Sequence, residues 1–181
     1  MQAISVAEIV IDTNVLHVAS ERHDGVSPEC VAACVVRLQR AKNRDVIVID
    51  DGYRILQEYQ AKLDPWRGKG VGEAFLKWLM QKQGDTSRVH RVPLTEHAPS
   101  QFSEFPDAAL ESVFDPPDRK FVAVANAHPA KPVILQAADS KWLGWWQALQ
   151  AAGVRVEFLC PEDVRRFYRS KFPGEPVPPL P

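Results

Sequence analysis

The chain has no long hydrophobic run. Nowhere do apolar residues continue for the ~20 positions that a membrane-crossing helix needs, and the first residues lack the basic-then-apolar pattern of a leader. Both absences lead to the expectation of a soluble, cytoplasmic protein with no membrane partner. Excess charge is missing too: 22 Lys and Arg stand against 23 Asp and Glu, which excludes a globally basic nucleic-acid coat but not a local basic groove. Cysteine is scarce. Three cannot all pair, and Cys30 and Cys34 share one apolar stripe with no second ligand pair nearby. The expectation is buried, reduced thiols in a reducing compartment rather than a zinc site.

What is present is ordinary globular material. At 181 residues, 45% hydrophobic and 25% charged, the chain is not disordered and has the length of one domain. Such a domain buries roughly 70% of its unfolded surface and needs no staple to fold. We expect one domain over residues 1–172. The tail at 173–181 is rich in Pro and poor in apolar residues, and is expected to be a flexible appendage.

Strands and helices alternate along the chain. Glu8-Ile9-Val10-Ile11-Asp12 and Asp45-Val46-Ile47-Val48-Ile49 are short apolar runs of the kind that buried parallel strands require. Pro132 to Ala137 is a third such run, Val154 to Phe158 alternates as a last edge strand, and Arg88 to Pro93 passes as an outer one. Between them, the spacing predicts helices from Pro28 to about Arg44, around Ile55 to Leu63, over Gly70 to Gln83, from Asp118 towards Pro129, and from Lys141 to Ala152. Residues 13–26 read as a polar loop, 94–114 as a mixed segment around a short helix at Pro106 to Ser112, and Glu162 to Lys171 as a short basic helix. This order implies right-handed crossovers and a mostly parallel sheet of about five strands between two helical layers, an α/β/α sandwich.

Ligands of such sheets collect at the carboxyl ends of the strands, where Asp12 and Asp139 fall. Asp118 opens the helix ahead of the strand that leads to Asp139, and Glu58 lies two turns into the helix after the second strand. All can reach one rim. Carboxylates without His or Cys make an oxygen-only ligand set, which suits Mg²⁺ or Mn²⁺. Each also has a plainer explanation. Asp115-Pro116-Pro117-Asp118 is close to a capping box, Asp139 suits the N-cap of the helix after it, and Glu58 stands in the favoured orientation before Lys62.

Here the chain resembles a known family. Ile9-Val10-Ile11-Asp12-Thr13-Asn14-Val15-Leu16 resembles the opening motif of PIN-domain proteins, and Gly52 to Tyr59, with Glu58, their second acidic motif. Asp115 to Ala125 is similar to the third motif in the form carried by toxin-component PIN proteins, and Asp139 occupies the fourth position. The likeness spans about residues 8–163 and departs at Lys141, where the family often has a second acid. The resemblance implies a PIN-like sandwich and a metal-dependent endoribonuclease. Asp12, Glu58, Asp118 and Asp139 would be catalytic residues and ligands of Mg²⁺ or Mn²⁺, and Thr13, Arg119 and Lys141 would contact RNA. It also leaves an antitoxin partner and a homodimer open. Two rivals remain: a phosphohydrolase or receiver-like domain, whose second acids are not visible here, and a non-catalytic PIN-like binding module, which Lys141 keeps in play.

Overall fold

A computed structural model describes residues 6–181; residues 1–5 of the expected domain lie outside the described residues. The central strands are β1 (Glu8–Ile11), β2 (Val46–Asp50), β3 (Val89–Val92), β6 (Val133–Gln136) and β7 (Val156–Phe158), and β4 (Glu96–Ala98) and β5 (Gln101–Phe102) form a separate hairpin. The five central strands are parallel and lie in the order β3-β2-β1-β6-β7. In register, Ile9 faces Val133, Ile11 faces Leu135, and Glu8 faces Val46. Ile9, Val10, Ile11, Ile47, Val48, Ile49, Ile134 and Leu135 are all buried. Successive strand side chains point to opposite faces, so burial of consecutive residues requires a cover on each.

Helices supply it. On one side α1 (Thr13–Ala19), α2 (Pro28–Arg44) and α4 (Val71–Lys82) pack on one another, and on the other α6 (Arg119–Ala127) lies against β1, β2 and β6. The remaining helices are α3 (Arg54–Lys62), α5 (Ala108–Val113), α7 (Ser140–Ala151) and α8 (Pro161–Lys171). The expected three-layer α/β/α sandwich is therefore the observed one. α1 and α4 approach so closely that a Cβ on Gly72 would stand 2.2 Å from the Leu16 carbonyl oxygen. α7 ends in a Schellman motif, with Gly153 at φ +87° and the Val154 N–H on Leu149 O at 2.9 Å.

Several expectations are corrected. Residues 13–19 are a helix rather than a loop, because the Asp12 carboxylate caps it through the Asn14 N–H and its Val15, Leu16 and Val18 are buried. Within residues 94–114 the expected short helix is present as α5, and the β4–β5 hairpin is the unexpected part. Asp115 makes no side-chain cap on the 3₁₀ turn at Pro116–Asp118.

The tail is seated. Val177 and Leu180 pack against the core, and Trp146 Nε1 donates to Pro179 O at 2.8 Å, which supplies the apolar anchors and the hydrogen bond that composition alone did not reveal. The cysteines are not all reduced either. Cys30 and Cys160 form a disulfide across 130 residues, and Cys34 remains a buried free thiol. In the chain-entropy account, closing so long a loop stabilises the fold by about 5 kcal/mol.

Candidate active site

The strand order reverses between β1 and β6, which leaves a crevice at the carboxyl ends of those strands. Asp12 follows β1 directly and Asp139 lies just beyond β6. The two turns are tied together: Asn14 Oδ1 accepts the Ala138 N–H at 2.9 Å, and the Asp12 N–H donates to Leu135 O at 3.0 Å. From α3, the buried Tyr59 hydroxyl donates to Ile11 O and holds the end of β1 in place.

Asp12 is 5% exposed, and its Oδ1 accepts the Asn14 N–H at 2.8 Å. Asp139 caps α7, with Oδ1 on the Lys141 N–H at 3.0 Å. Each cap uses one oxygen of its carboxylate. Asp118 enters from the 3₁₀ turn ahead of α6. Glu58 accepts from Thr13 Oγ1 at 2.5 Å and forms an ion pair with Lys120 rather than with Lys62.

The acids act on one another. Burial, then the charge of Asp118, pushes the Asp12 carboxyl well above the usual carboxylate range; Asp139 and Glu58 push the same way, and the Asn14 N–H opposes them. Asp118 is raised from 3.8 to about 7, first by burial and then by Asp139 and Glu58, while Lys120 and Trp142 hold it down. The Trp142 indole N–H is buried beside Asp118 and favours its ionised form.

The convergence is looser than the expected four-carboxylate cage. Among the described residues, no three of these acids bring an oxygen each to within 4.8 Å of one another. Glu58 is drawn aside by Lys120.

The expected RNA contacts divide. Thr13 lies at the site through Glu58. Arg119 does not: it is buried, with Nε on Phe114 O at 3.0 Å and a terminal nitrogen on Ser100 O at 3.3 Å, so its charge is spent on carbonyls. Lys141 pairs with Asp115, and its pKa is lowered by burial and by nearby Lys171, which puts the end of α8 on the same rim. Trp142 and Trp146 are core residues and Trp145 packs on Phe114, as their helical spacing suggests.

Sequence reasoning offers Lys120 and Lys62 as cations beside the acidic motifs and Asn14 as part of the opening motif, but not the pairing of Lys120 with Glu58, the bond of Asn14 to the Ala138 N–H, or the approach of the Trp142 N–H to Asp118. Nor does it give the cavity around Lys62. Arg22, Lys62, Asp64 and Trp66 line a cavity of about 430 Å³ where the ends of α1 and α3 meet. Trp66 is 66% exposed, and the Lys77 ammonium lies 5.4 Å from its ring centroid. α1 and α3 also carry Thr13 and Glu58, so the same two helices border this cavity and the acidic crevice; Arg22 is paired there with Glu73. No protein-family model, no curated protein and no solved structure matches the chain. Among the described residues, no helix is long and apolar enough to cross a membrane.

Proposed function

We propose that the protein is a divalent-metal-dependent nuclease of the PIN type that hydrolyses RNA phosphodiester bonds. The observation that carries this reading is the meeting of Asp12, Asp118 and Asp139 at the sheet's switch point, where Asp118 and Asp139 raise the pKa of Asp12 and Asp139 raises that of Asp118. Acids that only capped helices would have no reason to converge in a desolvated crevice.

The donor set suits a hard cation. Mg²⁺ binds oxygen, takes only one or two carboxylates directly and keeps several waters, so an open arrangement of acids accommodates it. Asp12, Asp118 and Asp139 would hold the ion. When bound, the cation supplies Lewis acidity, lowering the pKa of a water and offsetting charge on the attacked phosphodiester. Glu58, held by Thr13 and Lys120, would orient that water or take its proton. The Trp142 N–H favours the ionised form of Asp118 against the larger effect of burial, and Lys171, near the paired Lys141, would offer the phosphate backbone a positive charge.

The test is cleavage of an end-labelled single-stranded RNA with Mg²⁺, with Mn²⁺ and with EDTA. Metal-dependent products bearing 5′-phosphates are the expected result, and cleavage indifferent to EDTA overturns the reading. One observation favours the rival of a binding module without catalysis, namely that Lys120 and Lys141 already neutralise Glu58 and Asp115. RNA bound but never cut in the same assay selects that rival.

If the strand also runs along α1 and α3, a base stacks on Trp66 between Lys62 and Arg22. Base stacking on an aromatic is worth about 1–3 kcal/mol, so Trp66→Ala is expected to raise KM by roughly 10-fold and leave kcat unchanged. A variant with the parent's KM places the strand elsewhere.

A further inference from the structure

Cys30, Cys34 and Cys160 lie away from the acidic crevice and take no part in the proposed chemistry. Their sulfurs all lie within 4.8 Å of one another, and Cys34 Sγ is 3.9 Å from Cys160 Sγ. All are buried, at 3%, 0% and 3% exposure. Among the described residues this is the one group of His, Cys, Asp or Glu side chains whose ligand atoms converge so tightly.

A cation bound to three thiolates at about 2.3 Å requires sulfurs about 4 Å apart. The Cys34–Cys160 edge already has that length, and opening the Cys30–Cys160 disulfide releases the remaining sulfur into the same small volume.

The backbone favours negative charge here. Cys30 is the third residue of α2, after the Ser27 cap and Pro28, and Cys160 is the N-cap residue of α8. Cys30 and Cys160 thus sit at helix N-termini, which favour thiolates, whereas burial pushes the Cys34 thiol up to about 12, so its proton leaves only in exchange for a cation. There is also a way in. A cavity of about 160 Å³ is lined by Cys30, Cys160, Glu29 and Glu162, so acids stand where a cation would enter. Asp163 at the same cavity is held by Ser27 and Arg166.

We propose that reduction of the Cys30–Cys160 disulfide creates a three-thiolate site, Cys30, Cys34 and Cys160, for one thiophilic divalent cation of the Zn²⁺ class. Reduction consumes two electrons and two protons from a thiol or phosphine reductant and yields two thiols. Binding then displaces three thiol protons and leaves one net negative charge between the two helix N-termini. Disulfide and ion join α2 to α8 alternately, so the contact persists in either redox state. Nothing in this inference depends on the nuclease reading.

The experiment uses the full chain, oxidised or reduced with a phosphine that is then removed without oxygen, and titrated with Cd²⁺. Thiolate-to-cadmium charge-transfer absorption is the readout, because carboxylate-bound Cd²⁺ does not produce it. Reduced protein is expected to saturate at one equivalent and release protons, and oxidised protein to show no band. Reduced Cys34→Ala should bind roughly 100-fold more weakly, having two thiolates in place of three. No band in the reduced parent overturns the proposal, and so does equal affinity in Cys34→Ala. Loss of the folded far-UV circular dichroism on reduction also overturns it, since the sulfurs would no longer be held together.

Discussion

Asp12→Asn is expected to lower metal-dependent RNA cleavage by on the order of 10³-fold while making the metal-free protein more stable. The two effects share a cause. Asp12 is buried beside Asp118, Asp139 and Glu58, so its charge costs free energy until a cation offsets it. Asparagine keeps the hydrogen bond that matters for folding, because its Oδ1 can still accept the Asn14 N–H that caps α1. What it removes is the negative charge. A residue needed only as a cap would behave differently: its Asn variant would be neutral in both stability and activity. The measurements are single-turnover cleavage with saturating Mn²⁺ and thermal melting in EDTA. Unchanged cleavage with a raised melting temperature would show that the crevice is strained for some purpose other than hydrolysis.

The second expectation concerns pH. Asp118 is raised from 3.8 to about 7 and Asp12 is raised as well, so the folded protein holds protons at mildly acidic pH that the unfolded chain has already released. Stability varies with pH as the difference in bound protons, and here the folded state binds more. The contribution from Asp118 is therefore complete below 3.8 and is lost as pH rises through about 7. A cost of about 2 kcal/mol corresponds to roughly 4–8 °C in a domain of this size, so metal-free protein should melt lower by about that much at about pH 8 than at about pH 5. Mn²⁺ should reverse the trend, since it binds the ionised acids of the folded state alone and stabilises that state by mass action. Asp118→Asn should flatten the metal-free profile. Burial pushes His17 and His128 down, which acts the other way over this range, so the parent is compared with Asp118→Asn: equal slopes in EDTA would contradict the burial of Asp118.

The two substitutions test different links. Asp12→Asn asks whether the charge performs chemistry, and the pH profile asks whether the acids are crowded and desolvated as the geometry has them. Lys120 bears on both, because it draws Glu58 aside and lowers the Asp118 pKa.

Much of the architecture was legible in local patterns. Unbroken apolar runs such as Val46 to Ile49 can only be strands covered on both faces, and strands separated by amphipathic helices can only be linked in parallel. Those constraints act between near neighbours, so sequence alone determined the sandwich, its five central strands and the places where Asp12 and Asp139 end their strands. Helix α1 escaped notice because its start is capped by the same Asp12 that ends β1, and one residue cannot announce both roles. Only the tertiary structure decided which charges are free. Arg119 and Lys120 are adjacent in sequence, yet one is spent on the Phe114 and Ser100 carbonyls and the other on Glu58, which is 62 residues away. The Cys30–Cys160 bond, the seat of Pro179 on Trp146, and the exposed Trp66 beside Lys62 and Arg22 likewise join residues that chain packing brings together. Local spacing sets which face a side chain takes; which partner it meets there depends on elements folded from elsewhere in the chain.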